Sequence, residues 1–188
     1  MQSLTVKLTG VAPLILHNNQ GVDPLNYYSI EIKKVSSKRA KTPADLERLS
    51  EIEFHAGLYL QDNKIVIPTK MQSATFVAGA KKDKHGPIAK AGVYFDTHAL
   101  LDYDGESNPD ELFKDKDHVS REPVKVSQST IIRTRPIFNR WSVDISMQYE
   151  PSVIDESDIL MAWEKAGQIV GMGDWRPQHG RFTIAKCG

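Results

Sequence analysis

The run Gly171-Met172-Gly173-Asp174-Trp175-Arg176-Pro177-Gln178-His179-Gly180-Arg181-Phe182 holds the chain's densest set of chemically capable residues. Glycines let a backbone approach a ligand closely. Arg176 and Arg181 offer planar forks that pair with phosphate oxygens, and Trp175 offers a face on which a base or ribose stacks. The run is not a phosphate-binding P-loop, because its glycines follow a helical pattern instead of preceding one and no Gly-Lys-Ser/Thr occurs. A helix cap and tight turn, with Trp175 buried as a core plug, is the competing structural account; on the binding account His179 is one of the loop's contacting residues.

A second constellation lies in residues 127–141. Arg133 and Arg135 have strand spacing and so point to one face. Arg140 and Trp141 add a cation and a stacking surface after Pro136. Arginine with interleaved aromatics suits sequence-tolerant binding of a single strand; an exposed sheet face whose arginines pair with acids explains it equally. Lys81 and Lys82 close a helical pattern, where their charge complements the helix dipole and is available to a phosphate.

Catalysis has thinner support. His17, just after the first strand, with Tyr27 and Tyr28 in the following loop, suits a general base and its partners in metal-independent RNA cleavage. The six histidines (His17, His55, His85, His98, His118, His179) show no pairing at three or four residues, so no helical metal motif exists. Asp102 and Asp104 are better explained by a solvated acidic loop than by a metal. The reading is of a protein without catalytic residues, metal or cofactor.

The chain has 188 residues, with 24 Lys+Arg against 24 Asp+Glu and a net charge of zero. A uniformly basic nucleic-acid-binding domain is therefore excluded. The signs are unevenly distributed, however. Basic residues gather at 33–41, 81–90, 121–140 and 176–186, and acids at 102–117 and 155–158. A neutral chain that gathers its basic clusters on one face still presents a positive groove. The single cysteine, Cys187, excludes an intramolecular disulfide and fits a reducing compartment. No stretch approaches the ~18 apolar residues that span a bilayer, and the N-terminus lacks a leader pattern, so a cytoplasmic protein without a membrane partner is expected.

The positioning elements follow from periodicity. Alternation over residues 4–16 predicts a strand, with Gly10 and Pro13 at a bulge or end. Residues 17–29 read as a loop, followed by a mobile basic run. Thr42-Pro43-Ala44-Asp45 caps a helix reaching about His55. Asp62-Asn63 marks a hairpin turn between short strands. A second helix is predicted over 69–82, a strand over 92–103, an acidic loop over 104–118, two β-rich runs hinged at Pro136, a third helix over 155–170 and a last strand over 181–186. This order predicts an α+β fold, a mainly antiparallel sheet with helices on one face. A ferredoxin-like (RRM-like) core fits, with β-rich insertions at about 17–68 and 104–135 in a single domain spanning 1–188.

The glycine-rich loop between the last helix and the final strand, ending in Gly180-Arg181-Phe182, is similar to that of the RAMP superfamily, the ferredoxin-fold RNA-binding proteins of CRISPR effector complexes. The strand at 4–16 and the extended insertion at 121–140 also look like the backbone subunits of that superfamily. Thr130-Ile131-Ile132-Arg133-Thr134-Arg135-Pro136 and Gly171-Met172-Gly173-Asp174-Trp175-Arg176-Pro177 resemble small proteins of phages and mobile elements. The resemblance implies binding of single-stranded DNA or RNA by a self-associating protein, a homo-oligomer that forms a filament along the strand. The expected contacts are Lys81, Lys82, Arg133, Arg135, Arg140, Trp141, Trp175, Arg176, His179 and Arg181. The alternatives are an assembly protein of a phage-like particle, held by mating charged patches, and an RNA endonuclease that uses His17.

Overall fold

The computed structural model describes residues 1–187. In chain order its elements are β1 (Gln2–Gly10), β2 (Leu14–Ile15), α1 (Tyr27–Ser36), α2 (Pro43–Gly57), β3 (Leu60–Gln61), β4 (Lys64–Ile67), α3 (Thr69–Ala80), α4 (Gly86–Gly92) and β5 (Val93–Tyr94). Then follow β6 (Ala99–Tyr103), α5 (Pro109–Lys114), β7 (Val119–Val126), β8 (Ser129–Phe138), β9 (Trp141–Tyr149), α6 (Glu156–Lys165) and β10 (Phe182–Lys186). The chain is α+β and forms two compact units: residues 1–14, 60–104 and 138 onward make the first, and residues 15–59 and 105–137 the second. Among the described residues no helix is long and apolar enough to cross a membrane.

The first unit is built on an antiparallel sheet of order β10-β1-β9-β6-β4-β3, with β5 also paired to β9. Period-two alternation sets its faces. On β1, Leu4, Val6 and Leu8 are buried, and on β9 Trp141, Val143, Ile145, Met147 and Tyr149 are buried. The register pairs Leu8 with Val143, Val6 with Ile145 and Leu4 with Met147, so one continuous apolar stripe crosses both strands. Helices α3 and α6 cover that stripe through Phe76 and Trp163, whose ring centroids lie 5.4 Å apart, and Trp163 meets Phe182 of β10 at 6.2 Å. The opposite face is polar, carrying Thr5, Lys7, Thr9, Asp144, Ser146 and Gln148.

The α3–α6 contact is unusually close. A Cβ on Gly79 would sit 2.1 Å from the Ala162 carbonyl oxygen, so only glycine permits this approach. It sets the C-terminal end of α3, where the chain continues through a 3-10 turn at Lys81–Asp83, against the end of α6. There α6 widens into a π turn, Ala166–Val170, with the Gly171 amide donating to the Ala166 carbonyl at 2.8 Å.

In the second unit α2 starts on a capping box: Asp45 N–H donates to Thr42 Oγ1 at 3.2 Å and Thr42 N–H to Asp45 Oδ2 at 3.0 Å. The Lys38 ammonium, then the Thr42 amide and hydroxyl, all donating to the Asp45 carboxylate, lower it to about 2. Strands β7 and β8 pair as a hairpin, from Val119 opposite Pro136 to Val126 opposite Ser129. Glu53 of α2 is buried yet satisfied, because its carboxylate accepts from the Arg133 guanidinium and, at 2.9 Å, from the Thr134 amide. Beside it Ser50 and Thr134 share a buried 2.8 Å hydrogen bond.

Several local expectations change. The segment after His17 is ordered as a 3-10 turn and α1, whose N-cap Asn26 accepts from Tyr28 N–H at 2.9 Å. Pro136 does not hinge two strands but lies inside β8. It sits opposite Val119, the first residue of β7, where the ladder ends and a missing donor costs little. The acidic loop contains α5 and a 3-10 turn, and the strand over 92–103 divides into β5 and β6. Trp141 is only 4% exposed, and its indole N–H donates to the Ala12 carbonyl at 2.9 Å. Its ring fills the space over Gly10, where a Cβ would lie 2.3 Å from Nε1. Gly10→Ala is therefore expected to cost about 2–3 kcal/mol by overpacking, read as a lower denaturation midpoint; an unchanged midpoint would show that the indole moves aside freely.

Candidate functional site

The sequence-distant residues Lys81, Lys82, Trp175 and Arg176 line one open cleft of about 730 Å³ in the first unit. Its apolar floor is Ala78 from α3 with Ile169 and Val170 from the π turn. The geometry follows from two chain reversals. The Gly79 approach puts Lys81 and Lys82 beside the end of α6. The glycine-rich loop is then pinched at its base, where Met172 N–H donates to the Gly180 carbonyl at 2.8 Å and Gly180 N–H to the Pro13 carbonyl at 2.7 Å. Gly180 has φ +70°, and a Cβ there would overlap the Met172 carbonyl at 1.8 Å. Met172 is fully buried and anchors the loop, so residues 173–179 project from a fixed base.

Trp175 has φ +53°. For a bulky side chain this left-handed conformation costs of order 1–3 kcal/mol, and such strain persists where the surroundings impose it. The ring is half-buried and meets His179 edge-on at 5.8 Å and 68°. It is neither the core plug nor a freely swinging side chain.

Electrostatics separate this cleft from the other basic clusters. Arg133 is bound to Glu53, Arg140 to Asp104 at 3.1 Å, Lys38 to Asp45, and Lys186 to Glu156. Lys81, Lys82 and Arg176 have no ion-pair partner among the described residues, and the neighbouring acid Asp83 is engaged by Lys165 at 3.5 Å. Asp174 is the one acid lining the cleft. The macrodipole accounts for the two lysines at the end of α3; it gives no reason for Arg176, which comes from a different element.

The remaining expected residues are not gathered there. Arg181 is exposed, and its carbonyl accepts from the Val11 and Ala12 amides. Trp141 is core and offers no stacking surface. Arg133 and Arg135 do share a face, as strand spacing requires. With Lys125, His17 and Glu53 they line a cleft of about 430 Å³ in the second unit. Tyr27 and Tyr28 line a different recess, with Arg48, His55 and Asp110, so His17 and the tyrosines do not form one constellation. Burial, then the neighbouring Tyr27, pushes the Tyr28 phenol up. Asp102 accepts from the Ser142 hydroxyl at 3.0 Å, and no group of three or more metal-ligating side chains occurs among the described residues.

Sequence reasoning missed the floor residues Ala78, Ile169 and Val170. It also gave Asp174 no part. The apolar pair Ile169-Val170 was legible as the end of a helix face, but the π turn that carries it to the cleft was not. No protein-family model matches this chain, and no curated protein is similar to it.

In the second unit, Glu53→Ala would leave the buried Thr134 N–H without its acceptor and release Arg133. The expected loss is about 1–3 kcal/mol in urea denaturation. A midpoint equal to that of the unaltered protein would show that solvent replaces both bonds.

Proposed function

We propose that this chain binds single-stranded nucleic acid, in the cytoplasm and without catalysis, and that the first-unit cleft is where the strand lies. One observation carries the reading. Three cations without acidic partners and a strained tryptophan, drawn from sequence positions far apart, line the same groove. Phosphates pair with Lys81, Lys82 and Arg176, a base stacks on Trp175, and Ile169 and Val170 exclude water beneath it.

The ferredoxin-like core is supported by strand order. Taking β1, β6, β9 and β10 as its four strands, with α3 and α6 as the two crossover helices, gives the neighbours β10-β1-β9-β6. The position of the glycine loop, between the last helix and the last strand, supports kinship with the RAMP superfamily and assembly into a filament along the strand. An RRM-type mode, with bases stacked on the open sheet face, has little to draw on: that face is mostly Ser, Thr and Gln on β1 and β9. The assembly-protein alternative needs unpaired patches of both signs, and each of the other basic clusters has at least one cation held by an acid of the same chain.

Binding of labelled dT20 and rU20 tests the proposal. Affinity should fall steeply with salt, each phosphate contact adding about 0.7 to the log–log slope for a single strand. The combined change Lys81→Ala, Lys82→Ala and Arg176→Ala should lower that slope by about 2. Salt-insensitive binding, or an unaltered slope, would refute the cleft. Trp175→Gly relieves the left-handed strain, so it should leave stability equal or raised while weakening binding by about 1–3 kcal/mol. A variant that binds normally would return Trp175 to a structural role.

A further inference from the structure

His179 is the residue of the glycine-rich loop that phosphate binding does not explain. Trp175 and Arg176 line the cleft, but His179 is not among the residues that do. Its Nδ1 is shut off from solvent and has no hydrogen-bond partner. The imidazole lies instead against the indole of Trp175, edge-on, with ring centroids 5.8 Å apart and planes at 68°. The same two residues are joined through the backbone, where the His179 amide donates to the Trp175 carbonyl at 3.2 Å. On its other side His179 is built into the base of the loop. A Cβ on Gly171 would lie 2.6 Å from the His179 carbonyl oxygen, and the next residue, Gly180, is the one pinched against Met172 and Pro13.

We infer that His179 is a positioning residue, which braces the Trp175 ring in the orientation that stacks on a base and touches no part of the strand itself; this rests on the proposed single-strand binding at the cleft. Trp175 needs support, because φ +53° is a conformation that a bulky residue keeps only where its surroundings impose it. The hydrogen bond that closes the turn from 175 to 179 restrains the Trp175 backbone, but the ring can still rotate about its two side-chain bonds. An edge-on aromatic partner removes that freedom, since aromatic pairs favour this arrangement. A ring ordered before the strand arrives avoids the immobilisation cost that an unrestrained side chain meets on binding. His179 stands at the fixed end of the loop and Trp175 on its projecting part, so the contact carries the rigidity of the pinched base to the stacking surface. The shape and aromatic character of residue 179 serve this role, and its ring nitrogens do not.

The test measures binding of dT20 to the unaltered protein, His179→Ala and His179→Phe, with tryptophan fluorescence as a second readout. Trp141 and Trp163 are buried, so quenching by a stacked base reports on Trp175. His179→Ala should bind roughly two- to tenfold more weakly and show less quenching at saturation, because its ring is no longer ordered in advance. Its salt slope should equal that of the unaltered protein, since no phosphate contact is lost. His179→Phe keeps an aromatic edge against the indole and should restore both affinity and quenching. If His179→Phe binds as weakly as His179→Ala, a ring nitrogen meets the strand and the brace is overturned. A lowered salt slope in His179→Ala would overturn it too, by showing that a phosphate contact depends on this residue. So would affinity and quenching in His179→Ala equal to those of the unaltered protein. All three results leave single-strand binding standing, whereas failure of the unaltered protein to bind dT20 removes the underlying reading and the brace with it.

Discussion

The candidate site depends on one steric constraint, the contact of α3 with α6 at Gly79. With the Ala162 carbonyl where a Cβ would be, no other residue allows the two helices to meet at this distance. That contact brings the basic end of α3 to the point where α6 loosens into a π turn. The loop that leaves the π turn is closed in turn by Gly180 against Met172. Cations separated by more than ninety residues in sequence thus come to one groove through backbone packing, without any attraction between them.

Charge is distributed on the same logic. A net charge of zero hides clusters with different fates. Around α2 and β8 the cations serve structure: Arg133 is bound by a buried glutamate that also takes a strand amide, and Lys38 reinforces a helix cap. Exposed pairs such as Arg140 with Asp104 contribute little to stability but offset one another's charge locally. What remains without an acidic partner at the end of α3 and in the glycine-rich loop is a small positive surface with an aromatic beside it. The neutrality of the whole chain therefore says little about the character of the groove.

Much of this was readable from the residues. The capping box at Thr42, the apolar face of 159–170 and the Asp62-Asn63 turn each specify their element locally, and α2, α6 and the β3–β4 hairpin follow. Helix α1 was obscured because Gly21 and Pro24 just before it read as loop. Only Val35 of its apolar residues is fully buried, while Tyr27 and Ile30 are exposed, so no continuous apolar face marks it. Trp141 shows a signal passed over: it begins the alternation Trp141, Val143, Ile145, Met147, Tyr149, which assigns it to the buried face regardless of the arginine beside it. Which cations keep a free charge was not legible at all, because the pairing of Glu53 with Arg133 or Lys165 with Asp83 is decided by tertiary approach.

The account's central claim is that a single strand runs through the cleft of Trp175, Arg176, Lys81 and Lys82. Ultraviolet crosslinking of the protein to a short single strand, followed by mapping of the modified peptides, tests it most directly. The account predicts crosslinks on the loop residues 173–179 and on the end of α3. Crosslinks confined to the open sheet face, at Tyr94 or its neighbours on β9, would contradict it.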